Sequence, residues 1–218
     1  MCPEQHGQPA PPSPGEPVLP RLGEEGGLSR DEQTRLLELA RRTLRDVVLT
    51  GQLPSENELG PWPERLQAER GSFVTLMRNQ ALRGCIGNVL PDGPLWRSVM
   101  RNAQAAALRD HRFPPVLAAE LDDLAVEISV LSATRTLVFA SPAELLAKLR
   151  PDVDGVVLRI GAGLATFLPQ VWERMPDKAQ FLDALARKAG GAPGDWRKPD
   201  ASVLTYEVEC FSELAHAG

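Results

Sequence analysis

The sequence predicts an α+β fold with mainly antiparallel sheets, built from two similar halves. Capping boxes introduce amphipathic helices, β-rich runs joined by short turns indicate hairpins, and these elements occur twice in the same order. Each half has the order helix, hairpin, helix, strand, so we infer an internally duplicated fold although the halves share few identical residues. The 218 residues suffice for one domain at 29–213, or for two lobes at 29–135 and 136–213.

The first half begins at a capping box formed by Ser29 and Glu32, which predicts a helix that ends at Gly51. Residues 51–71 contain three prolines and form a long connection of the kind that is often functional or mobile. The run "SFVTLMRNQALRGCI" then predicts a hairpin with a polar turn. A helix over residues 94–109 follows, "HRFPP" breaks it, and "LAVEISVLS" predicts a strand.

The second half repeats this order. The segment "SPAE" is another capping box, and it opens a short helix that ends before Pro151. "GVVLRI" and "LATFL" predict a hairpin across residues 161–163, and Asp177 caps a helix that stops at Gly190. "SVLTYEVECF" predicts one closing strand.

The composition disfavours several classes of protein function. Residues 1–28 contain seven prolines and five glycines, which predicts a disordered tail. A net charge of −5 and an aromatic content of 5% disfavour nucleic-acid binding. No stretch approaches the roughly 18 apolar residues of a membrane span. Three widely separated cysteines favour reduced thiols in the cytoplasm.

Seven segments resemble, in chain order, successive motifs of the AMMECR family, which is component A of the AmmeMemoRadiSam system. They are "FVTL", "LRGCIGN", "RFPP", "VEISVLS", "LRPDVDGVVL", "ATFLPQVW" and "FLDALARKAG". The resemblance spans about residues 30–211 and implies an internally duplicated α+β fold. It implies no reaction, but the system's name implies a Memo-type protein and a radical-SAM protein as partners.

Cys85, in "LRGCIGN", is the candidate catalytic residue. A neighbouring cation favours a thiolate, and on a regular strand Arg83 shares a face with Cys85. Gly84 and Gly87 would let a ligand approach the backbone. The alternative is that Cys85 is a small core residue and that the glycines serve a bulge or a tight bend.

Arg112 lies in the proline-restricted segment "RFPP". It either binds an anionic ligand or forms a structural ion pair with Glu127. His111 is expected to be solvated at a helix end rather than to act as a base, because the resembling family commonly has proline at this position.

Three residues of "LATFLPQVW", namely Thr166, Gln170 and Trp172, suit hydrogen bonding and stacking in a pocket beside a strand-to-helix turn. Alternatively, Trp172 packs in the core with its N–H satisfied. The resembling family usually has an arginine where this chain has Leu164, so a site that depends on that arginine is altered here.

Two functions compete. An enzyme component would bind a small anionic or modified substrate in one pocket formed by Arg83, Cys85, Arg112 and the turn at residues 170–172. A non-catalytic interaction module would present an exposed apolar patch to a protein partner. No CxxC, HExxH or clustered ligand pattern predicts a metal or iron–sulfur site, and no motif predicts a cofactor.

Overall fold

The computed structural model describes residues 27–213, so the predicted tail apart from Gly27 and Leu28 lies outside the described residues. Helices accompany two four-stranded sheets, which confirms the α+β class. The chain divides into two units. Of the described residues, the first unit contains 27–130 and 209–213, and the second contains 131–208.

The elements follow the predicted order. In chain order the helices are α1 (Arg30–Thr50), α2 (Glu64–Gln67), α3 (Leu95–Leu108), α4 (Pro142–Lys148) and α5 (Lys178–Lys188). The strands are β1 (Ser72–Arg78), β2 (Ala81–Asn88), β3 (Leu124–Leu131), β4 (Arg135–Thr136), β5 (Gly155–Ile160), β6 (Gly163–Phe167), β7 (Ala201–Tyr206) and β8 (Val208–Ser212). The second hairpin turns at Gly161 and Ala162, because Gly163 already belongs to β6.

Helix α1 opens the first unit with the predicted capping box. The Ser29 N–H donates to Glu32 Oε2 (2.8 Å), and the Glu32 N–H donates to Ser29 Oγ (3.3 Å). Gly51 ends the helix with a φ of 77°, a left-handed conformation that glycine adopts without steric cost. Just before the helix, Leu28 is buried in the core of this unit, and its N–H donates to Glu209 Oε2 (3.1 Å). The prediction that the disordered tail extends through residue 28 is therefore wrong at Leu28, because this side chain is packed in the core.

The long connection at residues 51–71 is tied to α3. Trp62 stacks on Trp96 with ring centroids 5.4 Å apart. Arg97 donates two hydrogen bonds to the Glu56 carboxylate, at 2.9 and 2.7 Å. A stacked aromatic pair and a two-bond ion pair therefore hold this connection against the helix.

The two sheets confirm the internal duplication at the level of topology. Their strand orders are β2-β1-β3-β8 and, read from the opposite edge, β6-β5-β7-β4. Strand β1 pairs antiparallel with both β2 and β3, as β5 does with both β6 and β7. In each unit the hairpin and the strand after the following helix thus form the same three-stranded arrangement.

The prediction of one closing strand is wrong, because "SVLTYEVECF" contains two strands in different sheets. β7 lies between β4 and β5, whereas β8 lies beside β3. Glu207 separates them: its N–H donates to Ser132 Oγ (3.0 Å), and its carbonyl accepts from the Ser132 N–H (2.9 Å). The boundaries of the two units therefore fall near residues 130 and 208 rather than at 135, because β8 pairs within the first sheet.

Each unit has its own hydrophobic core. In the first, alternate residues of β1 and β3 pack with α1 and α3, and they include Val74, Leu76, Val126 and Ile128. In the second, α5 packs on the sheet through Phe181 and Leu185. Within residues 27–213, no helix combines the length and apolar character that crossing a membrane requires.

Candidate functional site

Cys85 lies on β2, at the edge of the first sheet, and its side chain is half-buried. It is opposite Thr75 on β1, and Thr75 is opposite Glu127 on β3. Cys85, Thr75 and Glu127 are therefore neighbours in one row across the three strands. Thr75 Oγ1 donates a hydrogen bond to the Cys85 sulfur at 3.3 Å, which fixes the direction of the thiol.

Two side chains clamp the main chain of Cys85. Its N–H donates to Asp110 Oδ2 (2.8 Å), and its carbonyl accepts from Arg112 Nη2 (3.1 Å). Arg112 also donates to both Asp110 oxygens, at 2.9 Å from Nε and 2.7 Å from Nη2. The Asp110–Arg112 pair thus occupies the hydrogen-bonding positions that a neighbouring strand would take at this edge.

The charges of this clamp reinforce each other. The Arg112 hydrogen bonds hold the pKa of the Asp110 carboxyl well below its usual range, although burial opposes this, and the Cys85 N–H adds to the lowering. The Asp110 side chain is only 5% exposed, whereas that of Arg112 is 56% exposed. The clamp therefore has a buried acceptor and a solvent-facing donor.

Arg83 does not share the regular face of Cys85, and the prediction that it does is wrong. The pairing of β1 with β2 shifts between Leu76 and Met77, so a bulge places Leu82 opposite Met77 and breaks the alternation at Arg83. The Arg83 guanidinium instead pairs with Glu120.

Arg83 and Glu120 form a nearly enclosed ion pair. Arg83 Nε and Nη2 each donate to a different Glu120 oxygen at 2.9 Å, and the two side chains are 12% and 11% exposed. The Arg83 hydrogen bonds, followed by that of the Leu117 N–H, lower the pKa of Glu120 to about 2. Arg78 Nη1 donates to the same carboxylate at 3.1 Å. This network ties β2 to the segment that follows "RFPP".

The glycines beside Cys85 are explained by close packing. A Cβ on Gly84 would lie 2.3 Å from the Ala106 carbonyl oxygen of α3, and a Cβ on Gly87 would lie 2.3 Å from the Phe73 ring. Both distances exclude a side chain. Close packing is therefore enough to explain why both positions are glycine, and no approaching ligand is needed to explain them.

The remaining residues of the sequence-based site lie in different places. Arg112 pairs with Asp110 rather than Glu127, although Glu127 lies in the Cys85 row. His111 is exposed just after α3, as expected.

Thr166, Gln170 and Trp172 belong to the second unit. Trp172 is 1% exposed, donates to the Asp154 carbonyl at 2.7 Å and stacks on Phe181, so it is a core residue. Thr166 Oγ1 donates to the Val156 carbonyl at 3.0 Å. A pocket shared by this turn and Cys85 stays a prediction.

The profile of the AMMECR1 family matches residues 37–211. The chain belongs to the AMMECR1 family. A protein of Methanosarcina acetivorans is 36% identical over 193 residues, which cover 88% of this chain and 96% of that one. A protein of Methanothermobacter thermautotrophicus is 36% identical over 190 residues, which cover 85% and 96%.

A crystal structure of an AMMECR1 relative shares this fold. The uncharacterized protein PH0010 of Pyrococcus horikoshii aligns with a TM-score of 0.73 and 34% identity, over 85% of this chain and 93% of that chain. The family resemblance of the sequence motifs is therefore confirmed, and a shared fold does not by itself specify a function.

Sequence reasoning missed Asp110, Glu120 and Thr75 of this AMMECR1 protein. Asp110 carried a local signal, because a carboxylate directly after a helix C-terminus is unfavourable unless something else binds it. Glu120 and Thr75 carried none, since their roles depend on pairing with residues far along the chain.

The duplication also places Leu164. Gly163 repeats the environment of Gly84, because its Cβ would lie 2.1 Å from the Ala189 carbonyl oxygen after α5. Leu164, which follows Gly163 as Cys85 follows Gly84, therefore occupies the position in the second half that matches Cys85. It is 43% exposed, so this AMMECR1 protein has an apolar surface residue there.

Proposed function

We propose that this protein is a cytoplasmic, ligand-binding component of an enzyme system, and that the ligand binds at Cys85. One observation carries the proposal: Asp110 binds the main-chain N–H of Cys85 and Arg112 binds its carbonyl, which joins the "RFPP" and "LRGCIG" segments at this residue. Functional groups act best when neighbouring groups hold them rigidly. A clamp on both sides of one residue supplies such rigidity at an otherwise open strand edge.

Arg112 is the residue that contacts the ligand. Its side chain is 56% exposed, whereas that of Arg83 is 12% exposed and bound on two sides by Glu120. Since each arginine has a carboxylate partner, the net charge at the site is small, and directional hydrogen bonds dominate recognition. A small anionic or modified substrate fits this arrangement, with Cys85 as the reactive group.

Charge-selective alkylation tests this role. In a full-length Cys2→Ser, Cys210→Ser protein, Cys85 is modified with anionic iodoacetate and with neutral iodoacetamide. We expect Arg112→Gln to lower the iodoacetate-to-iodoacetamide rate ratio by roughly fivefold, the effect of one nearby charge at the surface.

Two matched variants separate charge from structure. Arg112→Lys keeps the positive charge and should keep most of the ratio, and Arg109→Gln removes an exposed neighbouring charge and should leave it unchanged. An equal ratio in the parent protein and in Arg112→Gln, or a Cys85 that resists both reagents in the folded protein, would contradict the proposal.

We further propose that the protein works with a Memo-type protein and a radical-SAM protein, as the system name of the family implies. Co-expression of the three tests this directly. Copurification with either protein would support the partnership, and no association with either of them would contradict it.

A non-catalytic interaction module is the second candidate function. Leu82 and Leu117 of the first unit are 41% and 66% exposed, and apolar side chains of this kind would form a protein-contact surface if they belong to one patch. If Leu82→Ser with Leu117→Ser abolishes copurification while Cys85→Ser leaves every measured activity intact, the interaction module is the better description.

A further inference from the structure

A cavity of about 440 Å³ lies in the second unit, beside the beginning of β7. Its walls come from two stretches of chain, residues 136–142 and, apart from Asp200, residues 197–203. The stretches are joined where the Leu137 N–H donates to the Val203 carbonyl at 2.8 Å, and β4 itself pairs with Leu204 and Thr205. Beyond Leu137 the two stretches separate, which leaves a space of the size that small molecules occupy.

Arg197 is a preoriented cation in the wall of this cavity. Its guanidinium carbon lies 3.8 Å from the ring centroid of Trp196, which is fully buried. Its ion-pair contact with Asp183 is 3.7 Å long, beyond hydrogen-bond distance. The same Asp183 oxygen already accepts from Trp196 Nε1 (2.7 Å) and from the Gly194 N–H (2.8 Å). Stacking therefore positions a guanidinium whose donors Asp183 does not saturate.

Lys198 adds a second, more adaptable cation to the same wall. It is 55% exposed and pairs at 2.8 Å with Asp195, which is 18% exposed, so the ammonium side of this contact is open to solvent and to a competing anion. The rest of the lining includes the apolar side chains of Leu137, Phe139, Pro142 and Pro199, together with the polar residues Thr136, Ser141 and Ser202. The site thus combines two cations on one side with an apolar surface.

We propose that this cavity binds a small organic carboxylate with an apolar body. The carboxylate pairs with the guanidinium fork of Arg197, which matches its geometry through two parallel hydrogen bonds. Lys198 contributes charge, and the apolar walls cover the body of the ligand. The site uses none of the residues of the Cys85 site, so it stands whether or not the proposed function is correct.

Titration of the isotope-labelled full-length protein with phenylacetate, followed by amide NMR, tests the proposal. We expect shifts at Leu137, Lys198, Ala201 and Val203. Benzyl alcohol and phenethylamine, which keep the ring without the negative charge, should cause far smaller shifts. Phenyl phosphate provides a second anion, and binding tighter than that of phenylacetate would overturn the assignment to carboxylates.

Variants complete the test. Arg197→Gln and Lys198→Gln should each weaken phenylacetate binding, by about tenfold for Arg197→Gln, and Lys198→Gln leaves the Trp196 stack intact. Arg187→Gln removes an exposed arginine of the same unit outside the cavity and should change nothing. The absence of saturable shifts, or equal binding by the parent protein and both cavity variants, would overturn the proposal.

Discussion

Two arginines lie within reach of the Cys85 segment, and their surroundings give them opposite roles. Arg83 is enclosed, with two hydrogen bonds to Glu120 and one to the Pro115 carbonyl (3.3 Å), so it stabilises the fold. Arg112 is half exposed and holds the Cys85 carbonyl, so it can meet a ligand. Arg83 thus has a structural role, whereas Arg112 is available to a ligand, because the two side chains differ in burial.

The pH dependence of stability should report the Arg83–Glu120 pair. The pKa of Glu120 is lowered from 4.5 to about 2 in the folded protein, so its contribution is fully present above the higher value. That contribution is lost as the pH falls from about 4.5 towards 2. Urea unfolding at several pH values should show a smaller acid loss in Glu120→Gln than in the parent protein. Asp123→Asn, at an exposed partner of Arg78, should lose as much unfolding free energy at low pH as the parent protein does. An equal loss in all three proteins would contradict the role assigned to Glu120.

At the scale of elements, β2 and β6 are equivalent strands that each pass closely beneath a helix end. Gly84 meets the Ala106 carbonyl oxygen, and Gly163 meets the Ala189 carbonyl oxygen. Backbone-to-backbone contact of this kind cannot relax by a rotamer change. The duplicated glycine therefore sets how closely each helix packs on its hairpin.

Gly84→Ala and Gly163→Ala should both be destabilising, by about 1–3 kcal/mol, because the added methyl group overlaps a main-chain oxygen. Chemical denaturation measures the effect. Leu82→Ala, at a 41% exposed side chain on the same strand as Gly84, is the control and should cost less than about 1 kcal/mol. Wild-type stability in either glycine variant would show that the helix can move away.

At the scale of the whole molecule, the chain passes from the first unit to the second near residue 132 and returns to the first near residue 207. Arg150 supports this junction within the second unit, because its Nη2 donates to Asp154 Oδ1 (2.6 Å) and to Glu207 Oε1 (2.9 Å). The Asp154 side chain is 3% exposed, so it depends on this partner. The charge cluster thus lies where the chain passes from β7 to β8 at Glu207.

Arg150→Ala should lower the free energy of unfolding by on the order of 2 kcal/mol. This is less than for a fully buried pair, because Arg150 is 35% exposed. Lys148→Ala, which breaks an exposed pair with Glu144, should cost less than about 1 kcal/mol. Equal effects of the two variants would mean that the buried Asp154 finds another partner.

Deletion of the N-terminal segment tests where the folded part begins. Removal of residues 1–26 should leave the thermal transition unchanged, because the sequence predicts that they add little to the core. Removal of residues 1–28 also deletes Leu28, which is 6% exposed, and should cost about 1.5–3 kcal/mol. Calorimetry of the two truncated proteins gives the comparison, and a cost above about 1 kcal/mol for the shorter deletion would contradict the predicted tail.

Short-range features of the candidate site could be predicted from the sequence, and long-range ones could not. The hairpin, the helix after it and the position of Cys85 follow from residues within a few places of each other. The partner of Arg83 is 37 residues away, and the Cys85 N–H finds Asp110 25 residues away. A single bulge at Arg83 was enough to reverse the predicted face, since strand alternation has a period of two.

The sequence by itself determined the family, the α+β class, the duplicated order of elements and the helix ends, because caps, turns and periodicity act between neighbours. Only the tertiary structure decided that β8 belongs to the first sheet, that Asp110 holds Cys85, and that Trp172 is core. These outcomes depend on which distant surfaces are buried together. Such burial is set by the packing of the whole unit, and no local pattern of residues encodes it.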